Sequence, residues 1–181
     1  MSGNRTMGAL AKTPTLGVVG NPGAFAANEA APYDVPTLID HIVERYDQTH
    51  LLELPYTISL ARRVEQLYAS DPNCPVGLAD HLSAMATDLE AHQWREEYTL
   101  FPLLRIGTAR CLDFVTRRMT ADHVDVELEL MTLRRLTQGY RPSFEAPFCW
   151  QALHFMCRKL ETDLREYARL EHEVLYALLV K

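Results

Sequence analysis

After Asp34 the apolar residues recur at intervals of three and four almost to the last residue. Only three stretches interrupt them: SDPNCP at 70–75, RIGTARC at 105–111 and QGYRPSFEAP at 138–147. This period matches a helical turn, whereas half-buried strands need strict alternation. No hairpin dipeptide lies between alternating apolar runs, so no strand competes. Four helices follow, over about 35–69, 76–104, 112–138 and 147–179. Asp34 can cap the first, Pro36 sits in its first turn where a missing N–H costs nothing, and Pro55 is placed to kink or divide it. Long amphipathic helices with short connections predict an all-α, antiparallel up-down-up-down four-helix bundle.

With 181 residues the chain suits one such domain, over 34–181. Residues 1–33, rich in Gly, Ala, Asn and Pro and without a sustained period, read as a flexible tail. A net charge of -6 provides no cationic footprint for nucleic acid. Cys74, Cys111, Cys149 and Cys157 form no CxxC pair, which points to free thiols in a cytoplasmic protein. No apolar run approaches the roughly 20 residues a membrane-spanning helix needs.

The chemistry resides where the apolar stripes are broken from within. The second helix carries His92 and Glu96 four apart, in line with Leu89 and Leu100. The third carries His123 between Met119 and Val126, with Glu127 one turn on. The fourth carries Tyr167 and Glu171 in the seam of Leu160, Leu164, Val174 and Leu178, and the first offers His41 beside Leu38 and Ile42. Each helix thus sends a potential ligand toward the axis. Any one of these residues alone is more simply a hydrogen-bonded core group; their joint placement is what suggests a metal. Imidazole with carboxylate suits iron or another first-row metal, and a cation is the simplest reason to keep Glu96 and Glu171 ionised in a core. His50 falls half a turn out of phase with His41 and is expected to be exposed or supporting. His81, His154 and His172 are out of reach or out of phase.

The stretches LIDHIVERY, PVGLADHL, HQWREEYTLFP, MTADH and LETDLREYARLEHEVLY resemble the hemerythrin-like domain of the Repair of Iron Centres family, in order, over about 34–178. The resemblance implies a non-haem, carboxylate-bridged centre of two irons, with His41, His92, Glu96, His123 and Glu171 at matching positions. It further implies a stress-response role: iron–sulfur cluster repair on damaged iron–sulfur proteins, or binding of nitric oxide or oxygen, in a chain that forms a homodimer. Two positions depart from the family. Tyr167 stands where it has histidine, and Glu127 where it tends to have glycine. Either Tyr167 binds iron as a phenolate, with Glu127 as an extra carboxylate ligand, or one metal position is weakened or lost. A small N-terminal domain with adjacent cysteines, common in full-length relatives, has no counterpart in residues 1–33. A metal-dependent sensor without turnover, and a bundle with a degenerate site, are the alternative functions. Nothing pairs a seryl or cysteinyl nucleophile with a base.

Overall fold

The computed structural model describes residues 34–106, 112–143 and 145–175. The expected tail at 1–33, most of the second break and the seam position Leu178 lie outside them. So do the side chains of 112–116 and 174.

The chain enters α1 (Val35–Ile42) where the Asp34 carboxylate accepts from the Thr37 N–H at 2.9 Å and Pro36 occupies the first turn. A π-helical turn, Val43–Asp47, joins α1 to α2 (Gln48–Leu67). Pro55 does not divide α2: it lies on the exposed side, where the carbonyl it leaves unbonded can face water. After the SDPNCP turn, Gly77 at φ 88° leads into α3 (Leu78–Arg95). A second π-turn, Glu96–Leu100, continues it into α4 (Phe101–Arg105). The third arm is α5 (Leu112–Leu136). Gly139, at φ 73°, turns its N–H back onto the Arg134 carbonyl at 2.7 Å, closing α5 in a left-handed conformation that costs glycine little. The fourth arm is α6 (Phe148–Arg169) with a terminal π-turn, Leu170–Leu175.

The four arms close a ring: α2 packs on α3, α3 on α5, α5 on α6 and α6 on α2. Among the described residues there is no strand. The fold is the four-helix bundle that the periodicity predicts. Its core is built from Leu38, Ile39 and Ile42, from Leu78, Leu82, Met85 and Leu89, from Met119, Leu130 and Leu133, and from Leu153, Cys157, Leu160 and Leu164. Leu82 is fully buried, so Leu82→Ala is expected to destabilise the chain by about 2–5 kcal/mol in a denaturant titration, the range for a leucine cavity.

The three π-turns among the described residues decide the details. Each holds one residue more than an α-turn and so rotates everything after it by about 100°. Beyond Glu96 the core therefore takes Leu104, and Leu103 stands at its edge; beyond Glu171 it takes Leu175. From within Val43–Asp47 onward the buried positions become Tyr46, Asp47, His50, Leu54 and Thr57. Of the two expectations for His50, exposed or supporting, the first rested on a continuous α-helix and does not hold: the extra residue turns its side chain inward.

Candidate metal centre

Four side chains meet in the middle of the bundle. His92 and Glu96 come from α3 and the π-turn that follows it, His123 from α5, and Glu171 from the π-turn that ends the fourth arm. Each offers a ligand atom, and these atoms all lie within 4.8 Å of one another. His92 Nε2 is 3.1 Å from Glu96 Oε1 and 4.0 Å from Glu171 Oε2, while His123 Nε2 is 2.9 Å from Glu171 Oε2. π-turns are uncommon and tend to mark functional positions; here two of the four donors sit within one.

The opposite ring edges are held from behind. His92 Nδ1 faces Asp122 Oδ2 at 3.4 Å, and Asp122 is itself gripped by Arg95 at 2.6 Å and Arg118 at 3.2 Å. His123 Nδ1 lies 2.7 Å from His172 Nε2. Both imidazoles are thereby fixed with Nε2 turned into the cluster, the support that metal-binding histidines usually have.

What the inward atoms lack is the decisive feature. His92 Nε2, His123 Nε2, Glu96 Oε1 and both oxygens of Glu171 are buried with no hydrogen-bond partner. Five such atoms in a dry core cost too much to be packing residues alone. A cation satisfies all of them, and two imidazoles with two carboxylates are a donor set that first-row metals accept.

Without a cation the cluster holds itself together by sharing protons. Burial pushes the Glu96 carboxyl up, but the neighbouring His92 charge foremost, helped by the Tyr167 hydroxyl, outweighs it and holds Glu96 below the usual range. Burial and the Glu96 charge drive Glu171 well above that range, so Glu171 keeps the proton of the pair. Burial pulls His92 down, yet the Glu96 charge more than restores it. His123 is pulled to about 4 by burial and by the charge of His92.

Of the remaining candidates, Tyr167 is buried and donates its hydroxyl proton to Glu96 Oε2. Burial first, then the charges of Glu171 and Glu96, hold the phenol well above its usual range. The structure does not bring His41 or Glu127 into the group. His41 is half-buried on the flank of α1, with its ring 6.2 Å from that of Tyr46. Glu127 is exposed and bonded to Arg165 at 3.0 Å, because its position on α5 turns to solvent. Three other residues matter more than the sequence suggests. His172, one position past Glu171, faces α5 and supports His123. Asp47 and His50 are buried at 5% and 2% exposure beside Tyr167, brought inward by the first π-turn. A polar residue directly before or after a seam position was the only signal for any of them.

A groove of about 510 Å³ runs between α5 and α6, walled by Val126, Leu130, Leu164 and Ala168, and ends at His123 and His172.

The family model for the hemerythrin HHE cation binding domain matches residues 41–179, spanning all four arms and every donor described above. The chain belongs to the hemerythrin HHE family. This hemerythrin domain is 34% identical over 139 residues to the iron-sulfur cluster repair protein YtfE of Yersinia pseudotuberculosis serotype IB (strain PB1/+), and equally to that of Yersinia pestis (strain Pestoides F). Those alignments cover 77% of this chain and 63% of the relatives, so it spans under two thirds of their length. No helix among its described residues is long and apolar enough to cross a membrane.

Proposed function

We propose that the chain is a non-haem iron protein of the nitrosative and oxidative stress response, holding iron at His92, Glu96, His123 and Glu171 and serving iron–sulfur cluster repair. The observation that carries this reading is the set of five buried, unpartnered donor atoms converging from three helices. The names of the relatives supply the process, and damaged iron–sulfur proteins are the partner class it implies. A full centre would hold two irons, with Glu96 and Glu171 among the residues that hold them.

Bound iron supplies an electron-exchanging cation with room for a small ligand such as nitric oxide or oxygen. The chain's own residues do the rest. Asp122 and His172 orient the two imidazoles. Leu89, Leu100 and Met119 keep bulk water from the donors. Tyr167 holds a proton against Glu96 Oε2, restraining that carboxylate while its Oε1 stays turned toward His92. The groove ending at His123 and His172 is the route for a small ligand inward, or for iron outward to a damaged cluster.

Protein purified from iron-supplemented cells is expected to retain about two irons per chain with a visible absorption spectrum. Asp122→Asn should weaken iron binding about 10–100-fold, as loss of an orienting partner does elsewhere. The repair role is tested by recovery of a nitric-oxide-damaged iron–sulfur enzyme with loaded and metal-free protein. Absence of iron would sink the reading altogether; iron without any acceleration of recovery would leave the metal and remove repair, favouring a sensor.

A further inference from the structure

Glu96 divides its two oxygens between different neighbours. Oε1 lies 3.1 Å from His92 Nε2, on the imidazole side, while Oε2 accepts from the Tyr167 hydroxyl on the other. Glu171 does likewise: its Oε2 is 2.9 Å from His123 Nε2, and its Oε1 is buried and unpartnered. Each carboxylate therefore has one oxygen that no imidazole nitrogen meets.

Asp47 ends the first π-turn, next to Tyr46, whose ring lies 5.6 Å from that of Tyr167. It is 5% exposed, and Gln93 Nε2 donates to its Oδ1 at 3.0 Å, which ties it to α3 one turn before Glu96. Its Oδ2 is buried with no partner. His50 is the other buried group here, with both ring nitrogens unpartnered and its ring 6.3 Å from that of Tyr167. Its ring also lies 6.3 Å from that of Tyr46, and the charges that act on it are those of Asp163, Lys159 and Arg45.

We propose that Asp47 Oδ2 and the Tyr167 oxygen, with one oxygen each of Glu96 and Glu171, form a second cation position made wholly of oxygen, beside the nitrogen-rich position that His92 and His123 face. This rests on the metal-binding reading above and goes beyond it, because it makes the centre chemically unequal. The two glutamates bridge, one position takes imidazole, and the other takes carboxylate and phenolate. An all-oxygen set favours hard cations such as Mn²⁺ or ferric iron. Filling it displaces the Tyr167 hydroxyl proton and any carboxyl proton of Asp47 and Glu171 to solvent, leaving three anionic side chains besides Glu96 around the two cations.

The test is equilibrium dialysis of the metal-free full-length chain against Mn²⁺, with metal analysis and electron paramagnetic resonance. Wild type is expected to bind two Mn²⁺ per chain as an exchange-coupled pair, since the ions share Glu96 and Glu171. Asp47→Asn and Tyr167→Phe should each bind one, with an isolated-ion spectrum, while His50→Gln still binds a coupled pair. Far-ultraviolet circular dichroism checks that each variant is folded, and Asp47→Ala replaces any that is not. A wild type that takes one Mn²⁺, or a coupled pair that persists in both Asp47→Asn and Tyr167→Phe, overturns the oxygen-rich position alone. Loss of the coupled pair in His50→Gln but not in Asp47→Asn overturns it in favour of a histidine ligand. No Mn²⁺ and no iron in wild type overturns the metal reading itself.

Discussion

Glu171→Gln is expected to abolish metal-dependent stabilisation while leaving the metal-free fold intact. Glu171 is fully buried, and in the absence of a cation burial and Glu96 keep it protonated. Glutamine is a neutral group of the same shape, so the metal-free core loses no charge and little packing. A cation, however, needs the carboxylate. Losing an orienting partner of a ligand weakens metal binding about 10–100-fold, and losing the ligand itself should cost at least about 100-fold. At 100 times its dissociation constant a cation stabilises wild type by about 2.7 kcal/mol. For a chain of this length that raises the melting temperature by about 5–10 °C. Thermal melts with and without added metal read the difference directly. The substitution should erase the metal-induced rise, and an equal rise in both proteins would exclude Glu171 as a ligand.

Metal-free protein is expected to lose stability as the pH rises from 6.5 to 8, where buried histidines alone would give no loss. Burial foremost, then the charges of Glu96 and Glu97, raise Asp47 from 3.8 to about 8. The native state then holds a proton that the unfolded chain has already released above about pH 4. The stability Asp47 contributes is full below 3.8 and is lost as pH climbs through 8. Glu171 and His92, both raised, act in the same direction. His50, His123 and His154 run the other way: burial lowers each from 6.5 to about 4, so their contribution is complete above 6.5 and lost only as pH falls toward 4. Between 6.5 and 8 the histidines are spent and the raised groups act alone, at about 1–2 kcal/mol for Asp47. Urea midpoints in the presence of chelator measure this. Asp47→Asn should flatten the curve over that interval. Bound metal should invert it, because cations displace the same protons and bind more tightly as pH rises. A wild-type midpoint that does not fall between pH 6.5 and 8 would mean that these carboxyls are not held protonated.

How far the bundle and its centre could be read in advance depends on which residues are considered. The Asp34 cap, the SDPNCP break before α3 and the leucine seams of α3 and α6 follow from local propensity and a 3.6-residue period, and the structure places them there. The pairing of His92 with Glu96 and the inward placing of His123, Tyr167 and Glu171 follow from the same period, because each lies on its helix before a phase change or within the turn that makes it. Leu104, Leu175, Asp47 and His50 do not follow from it. Each comes after or at the end of a π-turn, and one inserted residue moves a side chain by about 100°, enough to exchange core for edge. Glu127 and His41 fail for another reason. At the margin of a stripe, a few tens of degrees separate the interior from solvent, and Arg165 captures Glu127 on the outer side.

The amino-acid order by itself determined four amphipathic helices, their sequence of turns, and a band of imidazoles and carboxylates on their inner faces. These are properties of one helix at a time, set by spacing along the chain. Only the tertiary structure decided which of those groups meet. That required knowing how each helix is rotated against its neighbours, where π-turns advance the phase, and which ring nitrogens are held from behind by Asp122 and His172. Above all it showed that His92, His123, Glu96 and Glu171 bring unpartnered atoms to one point. Ligand geometry is a relation between helices, and a helical period carries no information about the distance to the next one.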